Sequence, residues 1–261
     1  MKKLLFAALV LMLSSCSSTD HYTFKPLFNG ENWEGWYLKI RSNDSLMAER
    51  VYAIEDGQIH VFNDQFPAEF ELEGENNTHG LFYTDKSYSR YILRFEYKWG
   101  SRIANNFSQY QYDAGLYYHV TNDRIWPTGV EYQIRYNHLT DTNHTGDYWG
   151  TGVKFDWTFD ADRRYLPLSE GAQTDRRKGE HLGKLTRNFH ALDGEWNQCE
   201  VIVMGDRYSI HKLNGEVVNV ATNLEVGAGK IGFQSETAEI FYRNIEICEL
   251  EKELPIEKFL R

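Results

Sequence analysis

From Tyr91 to Trp99, the residues Tyr91, Leu93, Phe95, Tyr97 and Trp99 hold alternate positions, with Arg94, Glu96 and Lys98 between them. A period of two places the two sets on opposite faces of a β-strand, one buried and one wet. The same rhythm flanks Asp56-Gly57, from Val51 to Ile54 and from Ile59 to Phe62. It recurs around Asn214-Gly215, with Tyr208 to Leu213 before and Glu216 to Val220 after. Both dipeptides favour positive φ at successive residues, which closes a tight hairpin. No segment carries a sustained helical stripe with caps. The pattern predicts an all-β chain, an antiparallel β-sandwich or jelly roll. Asn137 to Gly194 breaks the rhythm: it is rich in Gly, Asp, Thr, Arg and aromatic residues. It reads as a long loop region of the kind that often carries function, with a charged, solvated part from Arg163 to Arg187.

The N-terminus follows a different rule. Lys2 and Lys3 precede an apolar run, Leu4 to Leu13, which has the length of a signal h-region. It is shorter than the roughly 20 residues that span a bilayer. Leu13-Ser14-Ser15-Cys16 resembles the bacterial lipobox, in which cleavage before the cysteine leaves a lipidated thiol. Residues 1–15 then form a lipoprotein signal peptide, 16–22 the lipidated Cys16 and a tether, and 23–261 a single domain. The expected location is the bacterial cell envelope, on the outer membrane facing the periplasm. The formal net charge is −10, and signal removal takes away two lysines and no acid. So acidic a chain is a poor partner for nucleic-acid backbones or anionic headgroups, whereas neutral sugars suit it. Cys199 shares a strand face with Val201 and Val203 and reads as a buried thiol. A disulfide to Cys248 needs Cα atoms within reach, and neither cysteine has a Cys or His at zinc-finger spacing.

Two stretches gather residues capable of chemistry. In one strand Asp113, Gly115, Tyr117 and His119 share a face, opposite Ala114, Leu116, Tyr118 and Val120. In the next, Glu131, Gln133, Arg135 and Asn137 share a face, opposite Val130, Tyr132, Ile134 and Tyr136. A hairpin around Thr121 to Gly129 with centred register sets His119 opposite Glu131 and Tyr117 opposite Gln133, with Cβ atoms about 4.5–5.5 Å apart. Trp126, Tyr148, Trp149 and Trp157 are candidate platforms for a sugar ring. Trp33, Trp36, Trp99 and Trp196 read as core or strand anchors. Direct hydrolysis of a glycoside needs two carboxylates, and jelly-roll glucanases often carry them at alternate positions of one strand. Here Glu131 is followed by Gln133, which is neither a nucleophile nor an acid, so that mechanism is disfavoured.

Several segments in order resemble the 3-keto-disaccharide hydrolase family. Phe24 to Gly30 with Trp33 and Gly35-Trp36 is similar to its opening signature. Val51 to Gly57 is similar to its first hairpin, with Tyr52 where tryptophan is usual. Asp113-Ala114-Gly115 stands where the family tends to have Asn-Ser-Gly, and Glu131-Tyr132-Gln133-Ile134 matches its "EvQi". Gly194 to Asn197, Leu213 to Gly215, Ile231 to Gln234 and Tyr242 to Ile245 complete the series. The resemblance implies a concanavalin-A-like jelly roll with a carbohydrate cleft, and cleavage of glycosides already oxidised at carbon 3. Such a ketone acidifies the hydrogen on carbon 2, so one base suffices for β-elimination of the anomeric substituent. Water may then add to give net hydrolysis. Glu131 or His119 is the expected base, the other assisting. Gln133, Tyr117 and Arg135 would donate to the enolate or to hydroxyls, with Asp113 beside them. Gln234 and Arg243 match family positions, as further substrate contacts or as structural hydrogen-bond partners. A divalent metal is the alternative means of polarising the ketone. Its candidate ligands are His119, Asp113 and Glu131, with His79, His138, His144 and Asp147 from loops. A carbohydrate-binding lipoprotein without catalysis would use the same cleft.

Overall fold

The computed structural model describes residues 22–66, 78–104 and 112–261. The signal segment and Cys16 lie outside the described residues. The strands are β1 (Lys25–Pro26), β2 (Trp36–Ile40), β3 (Tyr52–Glu55), β4 (Gln58–Val61), β5 (Gly80–Thr84), β6 (Arg90–Ile103), β7 (Tyr112–Val120) and β8 (Gly129–Asn137). They continue with β9 (Thr142–Asn143), β10 (Tyr148–Phe159), β11 (Gln173–His181), β12 (Asn197–Met204), β13 (Tyr208–Leu213), β14 (Glu216–Thr222), β15 (Lys230–Ser235) and β16 (Ala238–Glu249). Hydrogen bonds link them in the order β2-β5-β15-β7-β8-β10-β14-β13-β12-β6-β16-β4-β3, with β11 on β10, β9 on β8 and β1 on β16.

This ribbon doubles over at β10. The start of β10 pairs with β8, while Asp156 and Trp157 near its end pair with β14. A front layer, β2 to β10 along the path, therefore faces a back layer, β14 to β3. Phe95 of β6 lies edge-on to Phe233 of β15 and to Tyr132 of β8, with ring centroids 5.1 and 5.9 Å apart. Leu93, Phe95, Tyr97 and Trp99 all enter this core, as their alternation requires. Fully burying one such side chain stabilises the fold by about 1.5–3 kcal/mol. The architecture is an antiparallel β-sandwich of jelly-roll type.

Both expected hairpins form. Glu55 pairs with Gln58 across Asp56 (φ 50°) and Gly57 (φ 76°). Leu213 pairs with Glu216 across Asn214 (φ 47°) and Gly215 (φ 84°). Two expectations need correction. Val51 ends a helix, α1 (Ser45–Val51), rather than starting a strand; the Asp44 side chain caps it by accepting from Met47 N at 3.1 Å. Only Ala48 and Val51 of that helix are buried, too few to leave a periodic stripe. The region from Asn137 to Gly194 also contains regular structure, because β10 and β11 pair from Tyr148↔His181 to Phe159↔Gln173. Val153, Phe155, Trp157 and Phe159 are buried, while β11, at the margin of the layer, is largely exposed. Cys199 and Cys248 are free buried thiols in separate hydrophobic clusters.

Candidate active site

The second face of the front layer turns away from the core, and its register lines side chains up in rows. One row runs Tyr37, Tyr83, Gly232, Tyr117, Glu131, Trp149 and Glu180, each the direct partner of the next. In the next row Leu81 pairs with Gln234 and Gly115 with Gln133. Beyond it Asp113 pairs with Arg135, and Glu236 follows Gln234 by two residues.

Gly115 is the gap that makes this site. A Cβ there would collide with Glu131 Oε1 and Gln234 Oε1, so the two side chains come together above a residue that has none. Glu131 is 3% exposed. Burial, reinforced by the charge of Asp113, pushes its carboxyl up to about 8, against partial relief from Tyr117 and Arg135. Burial likewise raises Asp113 to about 7, although Arg135 and Gln133 favour its ionised form. Glu236 is raised well above the ordinary carboxylate range by burial and by the charges of Asp113 and Glu131. Three carboxyls carried by or next to three neighbouring strands, β7, β8 and β15, thus share a space that disfavours ionising all of them. Gln133 has a defined duty here: its Nε2 donates to Asp113 Oδ1 at 2.5 Å. Arg135 donates to Glu180 Oε1 at 2.5 Å and lies 3.9 Å from Asp147 Oδ2. Asp147 in turn accepts from Gly183 N at 2.6 Å and pairs with His144 Nδ1 at 2.9 Å.

His119 is placed elsewhere. The register sets Tyr117, not His119, opposite Glu131. The pairing of β7 with β15 slips between Lys230 and Gly232, and His119 has φ 53°, so it is the extra residue of a bulge. Its Nε2 contacts Gly205 O at 3.0 Å, in the turn between β12 and β13 of the back layer, and burial lowers it to about 4. His119 therefore does not join Asp113 and Glu131 as a ligand trio. Among the described residues no group of three or more His, Cys, Asp or Glu is arranged to hold a metal ion. His138 lies edge-on to Tyr112.

The aromatic candidates divide in the same way. Trp149 stands beside Glu131 in the first row and is 38% exposed. Trp126 is 42% exposed. Its loop folds back along β5, where Tyr83 Oη donates to Arg124 O at 2.7 Å and the Trp126 ring lies 4.1 Å from that of His79. Tyr148 points into the core, donating to Ser209 O at 2.8 Å and stacking on His211 at 3.7 Å. Trp157 is buried with its Nε1 on Asn219. Arg243 belongs to the back layer, where it bonds Glu96 at 2.6 Å and covers Trp196. Those three lie outside the site because strand parity or layer turns them from Glu131. Glu236 and Glu180 stand in this candidate site and were not among the residues expected from the sequence. Period two continued past Gln234 reaches Glu236, whereas Glu180 is found only through the β10–β11 register.

Two outcomes are expected. Gly115→Ala should still fold, because the groups it meets are side-chain ends, but displacing Glu131 and Gln234 by about 1 Å should cost about 10²-fold in turnover. Trp149→Ala should raise KM about tenfold, or about 1.4 kcal/mol, with kcat kept, as loss of a ground-state platform requires. Steady-state kinetics on one substrate check both.

A family model described as the 3-keto-alpha-glucoside-1,2-lyase-like domain matches residues 23–248. The chain belongs to that family. The match takes in every residue of the rows above. Among solved structures, a provisionally named glycosyl hydrolase from Parabacteroides distasonis ATCC 8503 is 17% identical, with 87% of this chain and 100% of that one covered and a TM-score of 0.51. A second from the same organism is 19% identical, covering 87% and 94%, with a TM-score of 0.48. A Bacillus licheniformis β-glucanase is 10% identical, covering 89% and 100%, with a TM-score of 0.48. At 17% identity the likeness to the first of these is one of fold. The comparison with curated proteins gave no match.

Proposed function

We propose that this family member cleaves 3-keto-glycosides by β-elimination. Glu131 removes the proton on carbon 2, and the electron pair left behind forms an enolate with the carbon 3 ketone. As the ketone re-forms, the bond from carbon 1 to the glycosidic oxygen breaks, and the aglycone leaves with a proton from a neutral neighbouring carboxyl. The product is an unsaturated 3-keto sugar, and addition of water to it gives net hydrolysis. The observation that carries this reading is Glu131 itself, a buried carboxyl raised to about 8 beside Asp113 and Glu236. Its conjugate base is stronger than an ordinary carboxylate and so better matched to a carbon acid. Glu236, which burial and the charges of Asp113 and Glu131 hold in its neutral form, is the candidate for the acid.

Asp113 and Glu236 also supply what a conventional two-carboxylate hydrolysis would use, although the strand of Glu131 does not. A matched pair of substrates separates the readings. A glucoside and its 3-keto counterpart, incubated with the protein with and without chelator, should show consumption of the ketone alone. Comparable consumption of the unoxidised glucoside would overturn the proposal, and binding of both sugars without consumption would favour a non-catalytic carbohydrate-binding role.

A further inference from the structure

Gln234 is 0% exposed, and neither its amide oxygen nor its amide nitrogen has a hydrogen-bond partner among the described residues. Roughly nine in ten buried polar groups are paired in folded proteins, and one left unpaired destabilises the fold. The side chain reaches the gap above Gly115, where it meets Glu131. The other glutamine of this face, Gln133, spends its amide on Asp113. One amide is thus committed to the scaffold and the other is held open beside the base.

We infer that Gln234 donates the hydrogen bond that stabilises the developing enolate oxygen, a role that rests on the elimination proposed above. Carbon 2 and carbon 3 of the sugar are bonded neighbours, so a base for the C2 proton and a donor for the C3 oxygen must stand side by side. Glu131 and Gln234 do so because residue 115 has no side chain to separate them. As Glu131 takes the proton, the C–H pair becomes the C2–C3 double bond and the carbonyl π pair moves onto oxygen. The amide N–H receives that charge, which then returns to re-form the ketone as the C1–O bond breaks. The N and O ends of the amide exchange by a half-turn about the last torsion, so the donor end reaches the same point. An uncharged donor has a second merit: a lysine or arginine here would favour ionised Glu131 and weaken it as a base.

The test uses Gln234→Leu and Gln234→Met, which replace the amide by apolar groups of similar size. Three quantities are measured: thermal unfolding, steady-state kinetics on a 3-keto-glucoside, and deuterium uptake at carbon 2 of 3-keto-1,5-anhydroglucitol in D2O. The last compound has no leaving group and reports enolate formation alone. Removing an unpaired buried amide should leave the unfolding midpoint unchanged or higher. Removing the donor should lower kcat and the exchange rate together by about 10²–10³-fold, with KM within about threefold. Wild-type rates of cleavage and exchange in either folded variant would overturn the role of Gln234 and leave the elimination standing. Loss of cooperative unfolding in both variants would assign Gln234 to the fold and overturn the inference. If the wild type neither cleaves the 3-keto-glucoside nor exchanges the C2 proton, the elimination fails and this inference falls with it.

Discussion

Replacing Glu131 by glutamine should lower kcat on a 3-keto-glucoside by about 10²–10⁴-fold, the contribution of a positioned general base, while sugar binding persists. Glutamine keeps the shape above Gly115 and removes only the charge and the basicity. The buried site tolerates it, since Glu131 is already held against ionisation by burial and by Asp113. The pH dependence of the wild type fixes the direction of proton transfer. A base that is ionised only as pH passes about 8 makes kcat/KM rise by nearly tenfold per unit below that value, and the rise ends and turns down where the neighbouring acid loses its proton. An acid role would give the opposite slope. Because Asp113 and Glu236 titrate with Glu131, the profile reports the cluster as a whole. Unchanged turnover in Glu131→Gln, or a wild-type profile that falls between pH 6 and 8, would remove Glu131 from the role of base.

The same crowding should be visible as lost stability. In the unfolded chain the three carboxyls release their protons near pH 4, at ordinary values. In the folded protein Asp113 holds its proton to about 7 and Glu131 to about 8, and Glu236 is raised as well. Across that interval the native state binds more protons than the unfolded state, so stability falls as pH rises and levels off above the folded values. The buried histidines His79, His119, His181 and His211, lowered to about 3–4, act in the opposite sense, gaining stability up to about pH 6.5. Burial works against charge on His60, but Glu239 and Glu55 hold it above its usual value, so its contribution is lost as pH rises. Comparing wild type with Glu131→Gln cancels these histidines. The variant should match the wild type near pH 5 and exceed it near pH 8 by on the order of 2–4 kcal/mol, about 5–10 °C in midpoint for a chain of this size. Thermal unfolding across pH 5 to 9 checks it. A wild-type-minus-variant difference that does not change with pH would show that Glu131 ionises as easily folded as unfolded.

The sequence by itself determined the fold class, the hairpins at Asp56-Gly57 and Asn214-Gly215, and the shared faces of Glu131, Gln133 and Arg135 and of Asp113, Gly115 and Tyr117. These follow from strand alternation and from turn residues that accept positive φ, both local properties of the chain. Val153 to Phe159 carried the same alternation, masked by the polar residues around it. Tertiary structure decided the rest. The β7–β8 register set Tyr117 opposite Glu131, and the bulge against β15 turned His119 toward the back layer. The fold brought Gln234 and Glu236, far along the chain, against Gly115 and Asp113, and it assigned Tyr148, Trp157 and Arg243 to the core or the back layer. Register depends on partners distant in sequence, and the basicity of a carboxyl depends on burial and neighbouring charge. Neither is written in the spacing of residues along one strand. Glu131 was visible in the sequence as a single carboxylate, and only the packed sheet supplied the acids beside it and the unpaired amide across Gly115.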